Sequence, residues 1–241
     1  MKTRISQAYP DRVEVRGRDL AGDVMGRLTF TEYFHLLLTG EEPSEEQRFF
    51  LELLLVSIAE HGLMPTNVAA RMTFAADPDS LQGAVAAGIL GCGPVILGTS
   101  EECARLLEAN LGRDPLEVAR EVHAAGKRMP GFGHPVHTPV DPRAERILEL
   151  ADERGVGGRH TELARGLRDA VPEVWGKPLT MNVSMPIASV LLDLGYRVST
   201  VKAIPILART ASLLAHLAEE QEDPIGLELA AAAEEATDYE P

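Results

Sequence analysis

The chemistry-bearing residues of this 241-residue chain concentrate between Gly126 and Arg143, in Gly-Lys-Arg-Met-Pro-Gly-Phe-Gly-His-Pro-Val-His-Thr-Pro-Val-Asp-Pro-Arg. His134 follows a Gly-Phe-Gly turn, and Asp141-Pro142-Arg143 begins seven residues later. Asp141 is a good N-cap, Pro142 fits the first helical position, and Arg143 then falls in the first turn. The stretch reads as a strained loop presenting an imidazole, followed by a helix start presenting a guanidinium. An imidazole and a bidentate guanidinium converging on one loop suit a carboxylate or an acyl oxygen. The helix dipole opposes a cation in the first turn, so Arg143 is better explained by a site than by an idle surface position.

The elements that must position these groups are helices. Thr29 with Glu32 makes a capping box, with Tyr33, Leu36 and Leu37 as a stripe and Gly40 as the stop. Ser44 with Gln47 opens a second helix running to Gly62, and Asp79 with Gln82 opens a third across the small residues 83–91. That bare surface admits another backbone closely, as at a helix or subunit interface. Thr99 with Glu102 opens the next, ending at Gly112. Further helices are expected over about 115–125, 141–154, 161–170 and 184–194. The last, roughly 200–220, should kink or restart at Pro205. The acidic, Ala-rich tail reads as a solvated helix or frayed end. Period-2 alternation is confined to Val13–Val15, so the expected fold class is all-α.

Composition agrees. Hydrophobic residues make up 45% of the chain and aromatics only 5%, which favours packed helices over sheets. The net charge of −14 argues against nucleic acid as a partner. Cys92 and Cys103 form neither a disulfide framework nor a metal-ligand spacing, so no metal is expected. The start, Met-Lys-Thr-Arg-Ile-Ser, has no apolar leader and no apolar run reaches about 18 residues. A cytoplasmic protein with no membrane partner is therefore expected.

Several motifs, collinear along the chain, resemble the citrate synthase family. Arg16-Gly17-Arg18-Asp19-Leu20 is similar to its Arg-Gly-Tyr-Asp-Ile. Leu36-Leu37-Leu38-Thr39-Gly40-Glu41-Glu42-Pro43 is similar to its Leu-Leu-Leu-x-Gly-Glu-x-Pro. Ala59-Glu60-His61-Gly62 stands in the place of its Ala-Asp-His-Glu, and Ala208-Arg209-Thr210 with Ala215-His216 resembles its late Ala-Arg-x-x-Gly-x-x-Ala-His. The loop at His134 and Arg143 completes the set. The resemblance implies a two-domain helical fold around a cleft, with 1–95 and 197–241 as a large, dimerising domain and 96–196 as a small, closing one. It also implies a homodimer, a small carboxylate substrate and a coenzyme A thioester.

By the same resemblance, the chemistry makes or breaks a carbon–carbon bond beside that thioester, as in citrate synthases and citryl-CoA lyases. His134 would polarise a carbonyl, Arg143 and Arg209 would clamp carboxylates, His61 would assist, and the backbone at Gly133 and Val136 would contact the coenzyme. Two departures stand out. Gly93-Pro94-Val95-Ile96-Leu97-Gly98-Thr99 carries Ile96 where the family has an enolising His, and Asn182-Val183-Ser184 carries Ser184 where it has a catalytic Asp. Isoleucine moves no proton, and an unactivated hydroxyl is a poor base. Proton transfer then needs a substitute, for which Ser184 and His137 are the candidates. The expectation is a citryl-CoA lyase-like or citrate synthase-like enzyme. The alternative is a catalytically degenerate member that binds a carboxylate or acyl-CoA as a regulatory or partner subunit.

Overall fold

A computed structural model of the chain describes residues 1–134 and 136–240. Twelve α-helices account for most of the described residues. The all-α expectation needs one correction: residues near the start form a three-stranded antiparallel sheet. Its strands are β1 (Ser6–Ala8), β2 (Val13–Val15) and β3 (Arg18–Asp19), with Ser6 opposite Val15 and Glu14 opposite Asp19. Strands of two or three residues leave almost no periodic signal, so only the middle one was visible as alternation.

Contacts divide the chain into two units, Met1–Leu53 and Leu54–Pro241. The first holds the sheet and α1 (Phe30–Thr39), which starts on the expected Thr29–Glu32 capping box and stops at Gly40. Arg16 donates from Nε to the Leu37 carbonyl at 3.0 Å, tying the sheet to the end of α1. Helix α2 (Glu45–Ala59) runs across the division.

The second unit contains the remaining helices. Helix α3 (Pro65–Ala76) was not expected, and α4 (Leu81–Leu90) packs against it and against α11 (Ala203–Glu222). Ala70, Phe74, Ala84, Leu213 and Leu217 form the core between them. A Cβ on Gly88 would stand 2.7 Å from Leu213 and 2.9 Å from the Thr66 carbonyl, so the small residues of α4 admit neighbours from the same chain. Pro205 acts as a restart: α10 (Val198–Val201) ends just before α11 begins, and the proline sits in the first turn of α11. The span 198–222 is long and apolar enough to cross a bilayer, yet Ile204, Leu213 and Leu217 on it are fully buried in the fold. It buries one apolar face against the rest of the fold.

Three more helices carry the site: α5 (Thr99–Ala109), α7 (Pro142–Glu153) and the nearly fully buried α9 (Ser184–Asp193). Thr99 is the first residue of α5 and not its cap; its hydroxyl donates to the Pro94 carbonyl at 2.9 Å. Between α5 and α7 runs α6 (Pro115–Ala124), and α8 (Arg159–Trp175) continues past Ala170 through Pro172. Gly158 at the N-cap of α8 has no side chain to offer, and Asp193 of α9 supplies the cap. Its carboxylate accepts from the Gly158, His160 and Thr161 amides at 2.9–3.0 Å and from the Thr161 hydroxyl at 2.7 Å. Burial pushes the Asp193 carboxyl up, but these donors outweigh it and hold it below the usual range. Asp193→Ala should cost about 2 kcal/mol at pH 7 by leaving buried donors unmatched, measured by urea unfolding. Because the folded pKa is lowered, that difference should persist above about pH 4 and vanish as pH falls through the folded value.

Candidate active site

The loop before α7 is fixed from below. The Gly133 amide donates to the Thr180 carbonyl at 2.7 Å, the Asn182 amide to the Gly131 carbonyl at 2.8 Å, and Asn182 Nδ2 to the Gly133 carbonyl at 3.0 Å. Gly131 has φ +77°, and a Cβ there would stand 2.8 Å from Cys103 Sγ. Only glycine lets the loop lie this close to α5 and α9.

Asp141 caps α7 as expected, accepting from the Arg143 amide at 3.1 Å. It does more than the sequence indicated. Its carboxylate also takes Arg143 Nε at 3.0 Å and Nη2 at 2.9 Å, and the Val183 amide at 3.1 Å. Burial raises the Asp141 carboxyl, and these four donors more than offset it, so it lies below the usual range. The pair aims Arg143 across the loop and joins the starts of α7 and α9.

His134 is held in one tautomer. Its Nδ1 accepts from the Val136 amide at 3.0 Å and the His137 amide at 2.8 Å. With that lone pair occupied, the neutral ring carries its proton on Nε2, and the 3.4 Å approach of Arg143 Nη2 to that nitrogen is then a contact between two donors and not a hydrogen bond. Burial first, and then His137, holds the imidazole below its ordinary pKa. At neutral pH His134 is an uncharged donor.

His61, at the turn between α2 and α3, lies edge-on to both loop histidines, with ring centroids 5.2 Å apart in each case. Its Nε2 is 3.0 Å from Nε2 of His137. Burial, then Arg143 and His137, lowers its pKa, so this ring is neutral too. Nitrogens of the three imidazoles lie within 4.8 Å of one another, a distance set compatible with a metal ion. The hydrogen bonding argues otherwise. A ligating histidine normally donates from its other nitrogen, whereas His134 Nδ1 accepts. His61 and His137 alone fall short of the three protein ligands of a zinc centre.

Arg209 rises from α11 and is 2% exposed. Its Nη1 donates to Asn67 Oδ1 at 2.9 Å, and Nη2 stands 3.5 Å from the Ile58 carbonyl. Its Nε is buried with no partner, and among the described residues no carboxylate is paired with it, although Glu60 acts on it from beyond ion-pair distance. Burial lowers its pKa. A buried guanidinium held by neutral groups is costly unless an anion completes it.

These residues meet at one cavity of about 160 Å³. His61, His134, Arg143, Arg209 and Ser184 line it, with the Gly133 backbone and Ile96. No carboxylate stands among the described lining residues, so two guanidiniums set its potential inside a chain of net charge −14. His137 is not among the lining residues; it touches His61 and His134, which are. Val136 is 69% exposed and lies outside it. A larger cavity, about 510 Å³, opens at Pro139, Val140 and Asp141, with Lys177 on its wall.

Sequence reasoning missed the polar layer behind the site. Glu60 accepts from the His61 amide at 2.8 Å, the Gly62 amide at 2.6 Å, the Ser212 hydroxyl and His216 Nε2 at 3.1 Å. Arg71, 1% exposed, donates to His216 Nδ1 and pairs with Glu219 and Glu220. Asn67 links this layer to Arg209. The available signal was a set of polar residues spaced three to four apart on α3 and α11, at Asn67 and Arg71 and at Arg209, Ser212 and His216.

Comparison with known proteins gives concordant results. The family model described as citrate synthase, C-terminal domain, matches residues 3–226. The solved citryl-CoA lyase from Hydrogenobacter thermophilus is similar at a TM-score of 0.90 and 30% identity, covering 100% of this chain and 94% of that one. The citrate synthase of Haloferax volcanii is 27% identical over 195 residues, 79% of this chain and 51% of that protein. The chain thus spans about half the length of the curated relatives it matches. ATP citrate lyase from Methanothrix soehngenii, solved with citrate and coenzyme A, shares the fold, with a TM-score of 0.83 at 18% identity over 100% of this chain and 42% of that one.

Proposed function

The chain belongs to the citrate synthase family, and on that premise we propose that it is a citryl-CoA lyase-like enzyme. It would break, or in reverse form, a carbon–carbon bond beside a coenzyme A thioester. The observation that carries this reading is the orphaned Nε of buried Arg209, which a substrate carboxylate would complete. Arg143 would hold a second carboxylate. His134, fixed as a neutral Nε2 donor, would hydrogen-bond the substrate hydroxyl as it becomes a carbonyl, a contribution of about 3 kcal/mol for a well-placed donor. The start of α9 at Ser184 turns its partial positive charge toward the cavity, where it would favour an enolate. The larger cavity beside Asp141 would take the coenzyme arm, with Lys177 near its phosphates.

Likeness to a citryl-CoA lyase over both chains favours cleavage over the half-length match to citrate synthases. Ile96 and Ser184 favour a second reading, a carboxylate- or acyl-CoA-binding subunit without turnover. One experiment separates them. Incubation with citryl-CoA should yield acetyl-CoA and oxaloacetate, the latter followed by its reduction with NADH. Tight citrate binding by calorimetry with no oxaloacetate formed supports the second reading, and neither signal rejects both. We also propose a homodimer with the site between lobes divided near residues 95 and 196; a monomer by light scattering at micromolar concentration contradicts the dimer.

A further inference from the structure

The cavity is short of groups that can move a proton. Arg143 and Arg209 keep theirs at any ordinary pH. Ile96 has none to give, and no base is hydrogen-bonded to the Ser184 hydroxyl among the described residues. His134 holds its proton on Nε2, because Nδ1 accepts from two amides. The remaining titratable side chain on the described wall is His61.

His61 is not alone. Its Nε2 meets Nε2 of His137 at 3.0 Å, a contact that two neutral imidazoles make only when one donates and the other accepts. Nδ1 of His61 has no hydrogen bond among the described residues, and His137 is partly exposed. Two rings, nearly perpendicular and joined at their Nε2 atoms, thus connect the cavity wall to solvent. Around His61 stand Arg143, Asp141, Arg209, His134 and His137, with Glu60 on its own backbone; around His137 stand His61 and His134.

We propose that His61 and His137 form one proton-transfer unit in place of the carboxylate the family uses. His61 exchanges the proton with substrate, and His137 sets its tautomer and shares the proton held between the two ring nitrogens. The inference rests on the lyase-like reading. In cleavage, His61 Nδ1 takes the substrate hydroxyl proton while Nε2–H is shared with His137. The carbon–carbon bond breaks, its electron pair passes into the thioester enolate, and the hydroxyl oxygen becomes a carbonyl on His134 Nε2–H. The imidazole pair then returns one proton to the enolate carbon. No proton is gained or lost overall. His137 acts through His61 and is a positioning residue.

The test uses the full chain. His137→Gln keeps a polar side chain but cannot pass a proton between two ring nitrogens. Its kcat for citryl-CoA cleavage should fall about 100-fold with KM nearly unchanged, and its kcat–pH profile should change shape. His137→Ala should regain activity with added imidazole, which a structural role would not give. Independently of turnover, the His61 titration followed by NMR should move upward in His137→Gln, because a like charge is removed. An active wild type with an unimpaired His137→Gln overturns the proposal and leaves the lyase-like reading intact. If the wild type is inactive, that reading fails, and an unmoved His61 titration then overturns the pairing itself.

Discussion

Arg209→Met should weaken carboxylate binding by about 30-fold or more and leave the ligand-free protein at least as stable as the wild type. The two effects have one cause. Arg209 is 2% exposed, its Nε has no partner, and its fixed contacts are neutral, to Asn67 and the Ile58 carbonyl. Without ligand, the charge is desolvated and poorly compensated, and replacing such groups by apolar side chains of similar volume is neutral or stabilising by about 1–4 kcal/mol. Asn67 Oδ1 is not orphaned by the change, because it also accepts from the Thr66 hydroxyl at 2.9 Å. With ligand, the same charge forms a buried ion pair, whose truncation typically removes about 2–5 kcal/mol of binding. That corresponds to roughly 30- to 5,000-fold in Kd. Thermal unfolding reads both quantities. Citrate should raise the wild-type midpoint by mass action and, at the same concentration, raise that of Arg209→Met far less. A variant that is strongly destabilised without ligand would show that Arg209 is structural.

Asp141→Asn should be the most damaging single change around the site, costing about 3 kcal/mol of stability together with the activity. The Asp141 side chain is fully buried and accepts four hydrogen bonds, two from the Arg143 guanidinium and one each from the Arg143 and Val183 amides. Asparagine turns an amide N–H₂ toward one of these donors and leaves Arg143 without its counter-charge. Removing one partner of a buried pair costs about 3–5 kcal/mol, and the lower figure applies because Arg143 keeps a fifth of its side chain exposed. The pH dependence follows in sign. The folded pKa lies below the unfolded value, so the wild-type advantage is complete above about pH 4 and is lost as pH falls through the folded pKa. Urea unfolding of both proteins at pH 7 and at several acid values measures it: the gap should close toward low pH.

What the sequence disclosed was local. Asp141-Pro142-Arg143 specified its own cap and the arginine's place, and the helix starting at Ser184 needed only its apolar run. Helix α3 went unread because its buried face carries Thr66, Asn67 and Arg71, which hide the apolar period, and because Met64 offers no side-chain cap. The N-terminal sheet escaped because its strands are too short to repeat. At the site, residue types were legible and their states were not. Nothing in Gly-His-Pro-Val-His shows that His134 Nδ1 accepts two amides, and 76 residues separate His61 from the imidazole it meets. The unsatisfied Nε of Arg209 is likewise a property of packing: an arginine on an apolar helix reads equally well as half of an ion pair until its neighbours are known.

The central claim is that Arg209 and Arg143 hold carboxylates in the cavity beside His134. A crystal structure of the protein grown with citrate tests it most directly. A carboxylate oxygen should lie about 2.8 Å from an Arg209 guanidinium nitrogen, a second carboxylate should contact Arg143, and the citrate hydroxyl should accept from His134 Nε2. Citrate bound elsewhere, or a cavity holding only water at saturating citrate, would contradict the account.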